Sequence, residues 1–379
     1  MQPAFWYNLA MSESQRPTYL EVNLSQLLRN LELIRARVAP ALVMPMLKAN
    51  AYGHGLEGVA PFIAPYVNYI GMATVEEGIH LRDLGIDKPI LITGGTLPEQ
   101  LPAFAKYNLT LTASSPDLLR AADQLAALAR TRITAHLKID TGMERVGVRD
   151  TEAEAFLEQS LTCKHLEIEG IYSHFANSDA ADLIHARLQL ERFNEVLRFY
   201  EKRSLPPPRY RHIANSGAIL QMPESYFDMV RCGILFYGVF PTLEAARTVD
   251  AKLAVTWRSR VAYSKVMPPG RPVSYGSLWQ AERPTRIVTV PCGYADGYFR
   301  RMTNRAEVIV NGKRYPQVGR VCMDQFMVNV GDDPAAVGDE VILLGGGISA
   351  DEYARWAETN GYEILTSIGA RVPRVFVTD

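Results

Sequence analysis

The stretch VMPMLKANAYGHG, Val43 to Gly55, holds the most information in the chain. It begins inside a short apolar run, Ala41 to Leu47, whose length and composition predict a fully buried strand. Lys48 ends the run, and Asn50, Gly53 and Gly55 punctuate a loop after it. A lysine at the point where a buried strand becomes a loop sits, in a parallel α/β fold, at the end where chemistry is done. Apolar walls there desolvate the amine and favour its neutral, nucleophilic form. The plain alternative is a surface lysine capping a strand. Tyr52, His54 and the two glycines crowding one loop favour the functional reading.

Outward from that strand, short apolar runs recur at Tyr69–Ala73, Pro89–Thr93, Leu109–Thr112, Ile133–Ile139, Glu169–Ser173, Arg211–Ala214 and Met229–Cys232. With the first they make eight. Helical patterns lie among them: Asn23–Val38, Val75–Leu84, Pro116–Arg130, Thr151–Glu158 and Leu183–Arg203. The alternation predicts a TIM-like (β/α)8 barrel over residues 19–239. A doubly wound open sheet would give a similar string. Beyond Val239 the period changes. Leu253–Val266, Arg286–Pro291, Glu307–Val310, Val321–Val330 and Glu340–Leu344 predict strands without long helices between them. Asn311-Gly312 marks a hairpin, Pro268-Pro269-Gly270 another turn, and Ala350–Thr359 the one helix. Residues 240–379 therefore read as a C-terminal, mostly antiparallel β domain.

Composition sets bounds. The 379 residues are 47% hydrophobic and 21% charged, with net charge −1, as in an ordinary globular protein of about two domains. No basic block points to nucleic acid, and no apolar run approaches the ~20 residues of a membrane span. Residues 1–18 read as a loose extension without the features of a signal peptide. Four scattered cysteines, with no CxxC, fit reduced thiols and a cytoplasmic setting rather than disulfides or a metal site.

On the barrel scheme the unusual polar residues fall at one end. Lys48 closes the first strand, Lys138 and Asp140 the fifth, and His174 the sixth. Asn215, Ser216 and Gly217 follow the seventh. Arg231 and Gly233 end the eighth, and Arg145 follows the fifth in its loop. Chance would scatter them over both ends. Individually each has an ordinary reading. Arg145 could be a solvated loop arginine, and His174 a satisfied structural histidine. Asn215 or Ser216 could cap a helix rather than bind phosphate. Arg231 could be a buried ion-pair partner of Asp228.

The Lys48 stretch resembles the pyridoxal-phosphate signature A-x-K-A-N-A-Y-G-H-G of the alanine racemase family, and the resemblance extends over nearly the whole chain from Tyr19. It implies that Lys48 carries pyridoxal 5'-phosphate covalently. It implies that Tyr52, His174, Asn215, Ser216, Gly233 and Ile234 hold the cofactor, and that Arg231 faces its pyridine nitrogen. Arg145 would contact the substrate carboxylate, with Lys138, carbamylated in many members, holding it in place. From VSYGSLW, PCGYADG and GRVCMDQ it implies that Tyr275 is a second catalytic base and that Met323 shapes the substrate pocket, with Tyr294 and Asp324 close behind. Both Tyr275 and Met323 would come from the other subunit of a homodimer. A tyrosine works as a base near neutral pH only beside positive charge; Arg145, and a chain through His174 to Arg231, are the candidates. One departure stands out. Ala370 precedes R-V-P-R where many members have a tyrosine reaching the phosphate, so that contact is lost or comes from another residue. Glu144 stands where a small residue is common.

The reaction this implies is interconversion of L- and D-alanine by two bases, Lys48 and Tyr275, supplying D-alanine for bacterial peptidoglycan. An arginine does not give up its proton, so the ring beside Arg231 is a weaker electron sink and the chemistry stays at one proton on Cα. A barrel-type decarboxylase of basic amino acids shares the architecture, but pairs the ring nitrogen with an acid. A racemase of broader range, serine included, is the nearer alternative. A non-catalytic cofactor-carrying barrel would lack the β domain and any counterpart of Tyr275.

Overall fold

The computed structural model describes residues 16–379; the extension expected over residues 1–18 lies almost wholly outside them. All eight expected barrel strands form: Leu42–Pro45, Ile70–Met72, Ile90–Ile92, Leu111–Ala113, Ile133–Asp140, Leu166–Tyr172, Tyr210–His212 and Met229–Cys232. They are short, buried and parallel, and the eighth pairs with the first, Met229 opposite Leu42. Single bridges, Met46 to Gly71 and Leu91 to Thr110, link the first strand to the second and the third to the fourth. The Arg231 N–H donates to the Ala214 carbonyl at 2.9 Å and joins the eighth strand to the seventh. The ring is closed, which excludes the open sheet.

Helix Leu24–Val38 runs as its apolar stripe requires, with Leu24, Leu27, Leu31, Ile34 and Val38 buried. The Asn23 side chain accepts from the Gln26 N–H at 2.7 Å and caps it. Helices Val75–Asp83, Pro116–Leu128, Ala153–Thr162 and Ile184–Lys202 match the expected patterns within a few residues. Shorter helices at Leu56–Ile63 and Leu101–Tyr107 were not expected; each is too brief to show a period.

The second domain carries a nine-stranded sheet. Asn311-Gly312 makes its hairpin, with φ of 49° and 81° at the two turn residues, the pair of positive values a tight right-twisted hairpin needs. Four features differ from expectation. The strand expected over Val321–Val330 begins only at Phe326, and Cys322–Gln325 is a turn in which the Cys322 N–H donates to the Gln325 carbonyl. The single strand expected over Leu253–Val266 is two, Val255–Arg260 and Tyr263–Met267, broken where Val261 turns away to bond Asp339. A second helix, Gly361–Ser367, follows Ala350–Ala357 and is capped by Asn360. Tyr19–Asn23, ahead of the first barrel helix, is a strand of this sheet, antiparallel to Val255–Arg260 and parallel to Arg374–Val377. The described residues therefore run from the sheet into the barrel and back to the sheet, which ties the two domains at both ends of the barrel.

At the return, the buried Asn30 side chain donates to the Phe236 and Lys252 carbonyls at 3.0 and 2.8 Å and accepts from the Lys252 N–H. Gly238 has φ +79°, and a Cβ there would lie 1.7 Å from the Lys252 carbonyl oxygen. Neither backbone segment has room to yield. Gly238→Ala is expected to destabilise the fold by about 3 kcal/mol, read as a lower midpoint with an unchanged slope in urea unfolding.

Candidate active site

Lys48 does not run into an open loop. Ala49, Asn50, Ala51 and Tyr52 all have φ between 50° and 56°, one turn in the left-handed region. Each such residue costs about 1–2 kcal/mol, so neighbours must hold the turn. The Glu77 carboxylate accepts from the Ala49 N–H at 2.6 Å and from the Ala73 N–H at 2.9 Å. The Asn50 side chain accepts from the Leu56 N–H at 2.7 Å. Strain of this kind, fixed from several sides, sits where side chains must be aimed. Here it sets the exit of the lysine.

Lys48 opens into a cavity of about 640 Å³ at the C-terminal ends of the barrel strands. Lys138, Arg145 and Arg231 share it, and Asp179 is the one carboxylate in its lining. Four cations against one anion favour a ligand carrying more than one negative group. Burial, and then the Arg145 charge, push the Lys48 amine below its ordinary pKa. Burial and Arg231 bring buried Lys138 down to about 7. Both amines therefore reach the neutral, nucleophilic form more readily than a lysine in water.

Arg231 is fixed from four directions. Its guanidinium donates to the Ser173 carbonyl at 2.7 Å, the Ile213 carbonyl at 3.0 Å, and Nδ1 of His174 and of His212 at 2.9 Å each. Burial lowers its pKa to about 10, so it is charged at neutral pH. Both histidines are held well below their usual pKa by burial and by Arg231, and so accept as neutral rings. The pairing of Arg231 with Asp228 does not occur: Asp228 binds Arg211 at 2.7 Å.

Asn215 is the N-cap of helix Ser216–Gln221, accepting from the Ala218 N–H at 3.1 Å. Ser216 Oγ accepts from the Gly233 N–H at 3.1 Å and the Leu235 N–H at 3.3 Å, holding the seventh and eighth strand ends together. A Cβ on Gly233 would come 2.8 Å from the Tyr52 hydroxyl, so glycine keeps that corner open. Ile234, fully buried, starts the next short turn. Asn215, Ser216 and Gly233 thus border one pocket end, where the Ser216 hydroxyl, already accepting two N–H groups, can still donate its own hydrogen to an anion. Asp140 holds the loop carrying Arg145. Burial alone would raise its pKa, but the Gly142, Glu144 and Arg145 N–H groups outweigh that and keep it below the carboxylate range. Glu144 itself turns outward to Arg149 at 3.0 Å.

The cavity also takes residues that the sequence reading passed over. Tyr362 and Thr366, from the unexpected helix Gly361–Ser367, line it beside Tyr52, with the Tyr52 and Tyr362 rings 6.2 Å apart. Ala370 is exposed beyond that helix and does not line the cavity, so the aromatic hydroxyls at this end of the pocket are those of Tyr52 and Tyr362.

Tyr275, Met323 and Asp324 are elsewhere. They border a second cavity of about 480 Å³ on the β domain, which shares no lining residue with the first. Tyr275 is 71% exposed and Met323 52%. Ser274, Gly276 and Ser277 around Tyr275 have φ of 67°, 76° and 51°, a turn that throws the phenol outward. Tyr294 lines neither cavity; it is half-exposed, and its N–H donates to the Cys322 carbonyl beside Met323. Among the described residues no cluster of His, Cys, Asp or Glu is suited to hold a metal ion, and no helix is long and apolar enough to cross a membrane.

Two family models match the chain, the alanine racemase N-terminal domain over residues 22–241 and the alanine racemase C-terminal domain over 254–376. The alanine racemase of Carboxydothermus hydrogenoformans is 45% identical over 96% of this chain and all of its own length. Among solved structures, the alanine racemase of Clostridium difficile 630 superposes with a TM-score of 0.91 at 32% identity, covering 97% of both chains. The alanine racemase from Bartonella henselae, solved with covalently bound pyridoxal phosphate, does so with a TM-score of 0.87 at 28% identity, over 95% of this chain and 99% of that one. With both halves of the chain matched and both domains superposed, the protein belongs to the alanine racemase family.

Proposed function

We propose that the chain is a pyridoxal-phosphate-dependent alanine racemase that works as a homodimer with shared sites. The observation that carries this is one cavity in which a desolvated lysine, a polar corner of Asn215, Ser216 and Gly233, and a fixed, charged arginine converge, while the exposed tyrosine of the same chain lies outside its lining. The residues present suit the cofactor. Lys48 would bond its aldehyde carbon, Ser216, Gly233 and Ile234 with Tyr52 and Tyr362 would hold its phosphate, and Arg231 would meet its ring nitrogen. When bound, that group withdraws electrons from the amino acid's Cα and acidifies the proton there.

The chain's own residues do the rest. Arg145 binds the substrate carboxylate, because an arginine fork matches it in two places. Arg231, charged at neutral pH, keeps the ring nitrogen free of a proton and so limits the reaction to Cα. Lys48 Nζ takes or returns the proton of the D-enantiomer. Inversion needs a second base on the opposite face, since one fixed base would hand the proton back to its own side. Tyr275 of the partner subunit fills that role, with Met323 of the partner subunit closing the pocket to a methyl-sized side chain. Exposed Tyr275, Leu278, Tyr294 and Met323 on one domain form the kind of apolar surface that a second copy covers. The bacterial origin of the relatives supports a bacterial cytoplasm, where the product D-alanine would serve peptidoglycan. The barrel and β-domain boundaries near residue 239 form part of the same reading.

The testing experiment follows the holoenzyme with L-alanine in D2O. Loss of circular dichroism with deuterium entering Cα, and no pyruvate or amine, is the expected result. Exchange with retained chirality would reject the two-base assignment, and amine release would reject racemisation altogether.

Lys138 enters the same proposal. Its near-neutral amine can add to carbon dioxide: the N–C bond forms as one C–O π bond opens, and the amine proton leaves to solvent. The resulting anion would sit beside Arg145 and anchor it. With 13C-bicarbonate, a carbamate carbon signal is expected above about pH 7. It should fade as the pH falls through that value and the amine protonates, and it should be missing in Lys138→Gln. A signal that persists in Lys138→Gln removes the assignment.

A further inference from the structure

Arg231 is the top of a polar column that runs down through the barrel interior, away from the cavity. Its Nη1 donates to His212 Nδ1 at 2.9 Å. His212 Nε2 lies 2.9 Å from His136 Nδ1. His136 Nε2 lies 3.4 Å from the Tyr69 hydroxyl and 3.6 Å from the Glu169 carboxylate. The Tyr69 hydroxyl donates to that carboxylate at 3.1 Å. Both histidines are fully buried and Tyr69 is 1% exposed. Glu169 keeps partial access to solvent at the opposite mouth of the barrel, near Arg209.

The direction of every bond in this column is fixed by its two ends. A guanidinium only donates and a carboxylate only accepts. His212 Nδ1 must therefore be bare, which puts the His212 proton on Nε2. His136 Nδ1 must accept that proton's bond, which puts the His136 proton on Nε2 as well. The Tyr69 oxygen takes the His136 N–H, and its other lone pair takes the Thr110 hydroxyl at 2.7 Å. Its own hydrogen goes to Glu169. Neither histidine can be reversed singly without setting two donors against each other.

We propose that Tyr69 and Glu169, at the far end of the barrel, are positioning residues for Arg231, acting through a one-way tautomer relay across His136 and His212. The functional consequence rests on the racemase reading above; the tautomer pattern does not. Burial lowers the pKa of both rings, which keeps them neutral and so able to relay a tautomer. Were His212 to carry its proton on Nδ1, that N–H would face the Arg231 N–H, and the guanidinium would turn from the pose its four acceptors define. Remote groups thereby set the donor that the cofactor's ring nitrogen would meet. In the Tyr69→Phe variant the His136 N–H loses its nearest acceptor. In Glu169→Gln the end of the relay can donate as well as accept, and its polarity is lost.

The test is long-range 15N–1H correlation on histidine-labelled, full-length holoenzyme. The wild type is expected to show His212 and His136 neutral, each with a pyrrole-type Nε2 and a pyridine-type Nδ1. Tyr69→Phe and Glu169→Gln should shift both rings toward averaged tautomer signals and lower kcat more than they alter KM. An Nδ1-protonated or doubly protonated ring in the wild type overturns the proposal, whether or not either variant folds. So do wild-type tautomer signals retained in both variants. Loss of racemase activity as the assigned reaction, with the tautomer pattern intact, would count against the racemase reading and not against the relay.

Discussion

Lys48→Ala is expected to lower racemisation by at least about 10³-fold, with the fold intact. General acid–base catalysis alone contributes about 10² to 10⁴-fold, and the covalent hold on the cofactor adds to that. The effect should not be structural, because the turn that follows is pinned through its backbone and not through the Lys48 side chain. Glu77 holds the Ala49 N–H, and Asn50 holds the Leu56 N–H. Far-ultraviolet circular dichroism and the urea midpoint should therefore match the wild type. Added methylamine is a further probe. A small amine that fits the vacated space can replace the lost base, so partial, amine-dependent rescue is expected with an amine of suitable pKa. Activity in Lys48→Ala within tenfold of wild type, without any amine, would remove Lys48 from the chemistry.

Much of this was legible in the chain. The barrel could be read because each of its strands is a short apolar run ending in a polar or small residue, and Lys48, Lys138, His174 and Arg231 each mark such an end. The clustering of those residues at one face followed from topology alone. What could not be read has a common cause: it depends on backbone conformation or on contacts between distant segments. Nothing in Ala-Asn-Ala-Tyr announces four consecutive left-handed residues. They exist because Glu77, on another element, accepts the Ala49 N–H, and because the Asn50 side chain, inside the turn, accepts the Leu56 N–H just beyond it. Glu77 falls in the expected helical stretch Val75–Leu84, where nothing in the sequence marks it as the acceptor for a distant turn. Tyr362 was missed because Gly361–Ser367 is too short to show a helical period, and Ala370 was weighed in its place because it adjoins the R-V-P-R sequence. Tyr19–Asn23 adjoins the expected helix Asn23–Val38 and carries no strand expectation, yet it pairs with strands more than 230 residues away. The Arg231–Asp228 alternative failed on geometry. Asp228 is taken by Arg211, and burial among carbonyls and neutral rings gives Arg231 enough acceptors without a carboxylate.

Mixing two dead variants should restore activity, and this is the second large effect. Tyr275→Phe removes one hydroxyl from an exposed side chain, so it should leave folding and cofactor binding unchanged while nearly abolishing conversion of L- to D-alanine. Tyr275 lies on the β domain, apart from the cavity of its own chain, and shares none of that cavity's lining. If each site takes Lys48 from one subunit and Tyr275 from the other, the two mutations segregate in a mixed dimer of Lys48→Ala with Tyr275→Phe. One site collects both lesions and the other collects none. Random reassortment of a twofold dimer makes about half of the dimers mixed, each with one intact site of two, so activity should return to about a quarter of wild type. The recovery should track subunit exchange, slow when the homodimers are mixed intact and complete after joint unfolding and refolding. If both residues served the same chain's site, no assortment of subunits would bring an intact pair together. Mixtures that stay inactive after refolding, with mixed dimers shown to be present by mass spectrometry, would therefore place Tyr275 outside the partner's site.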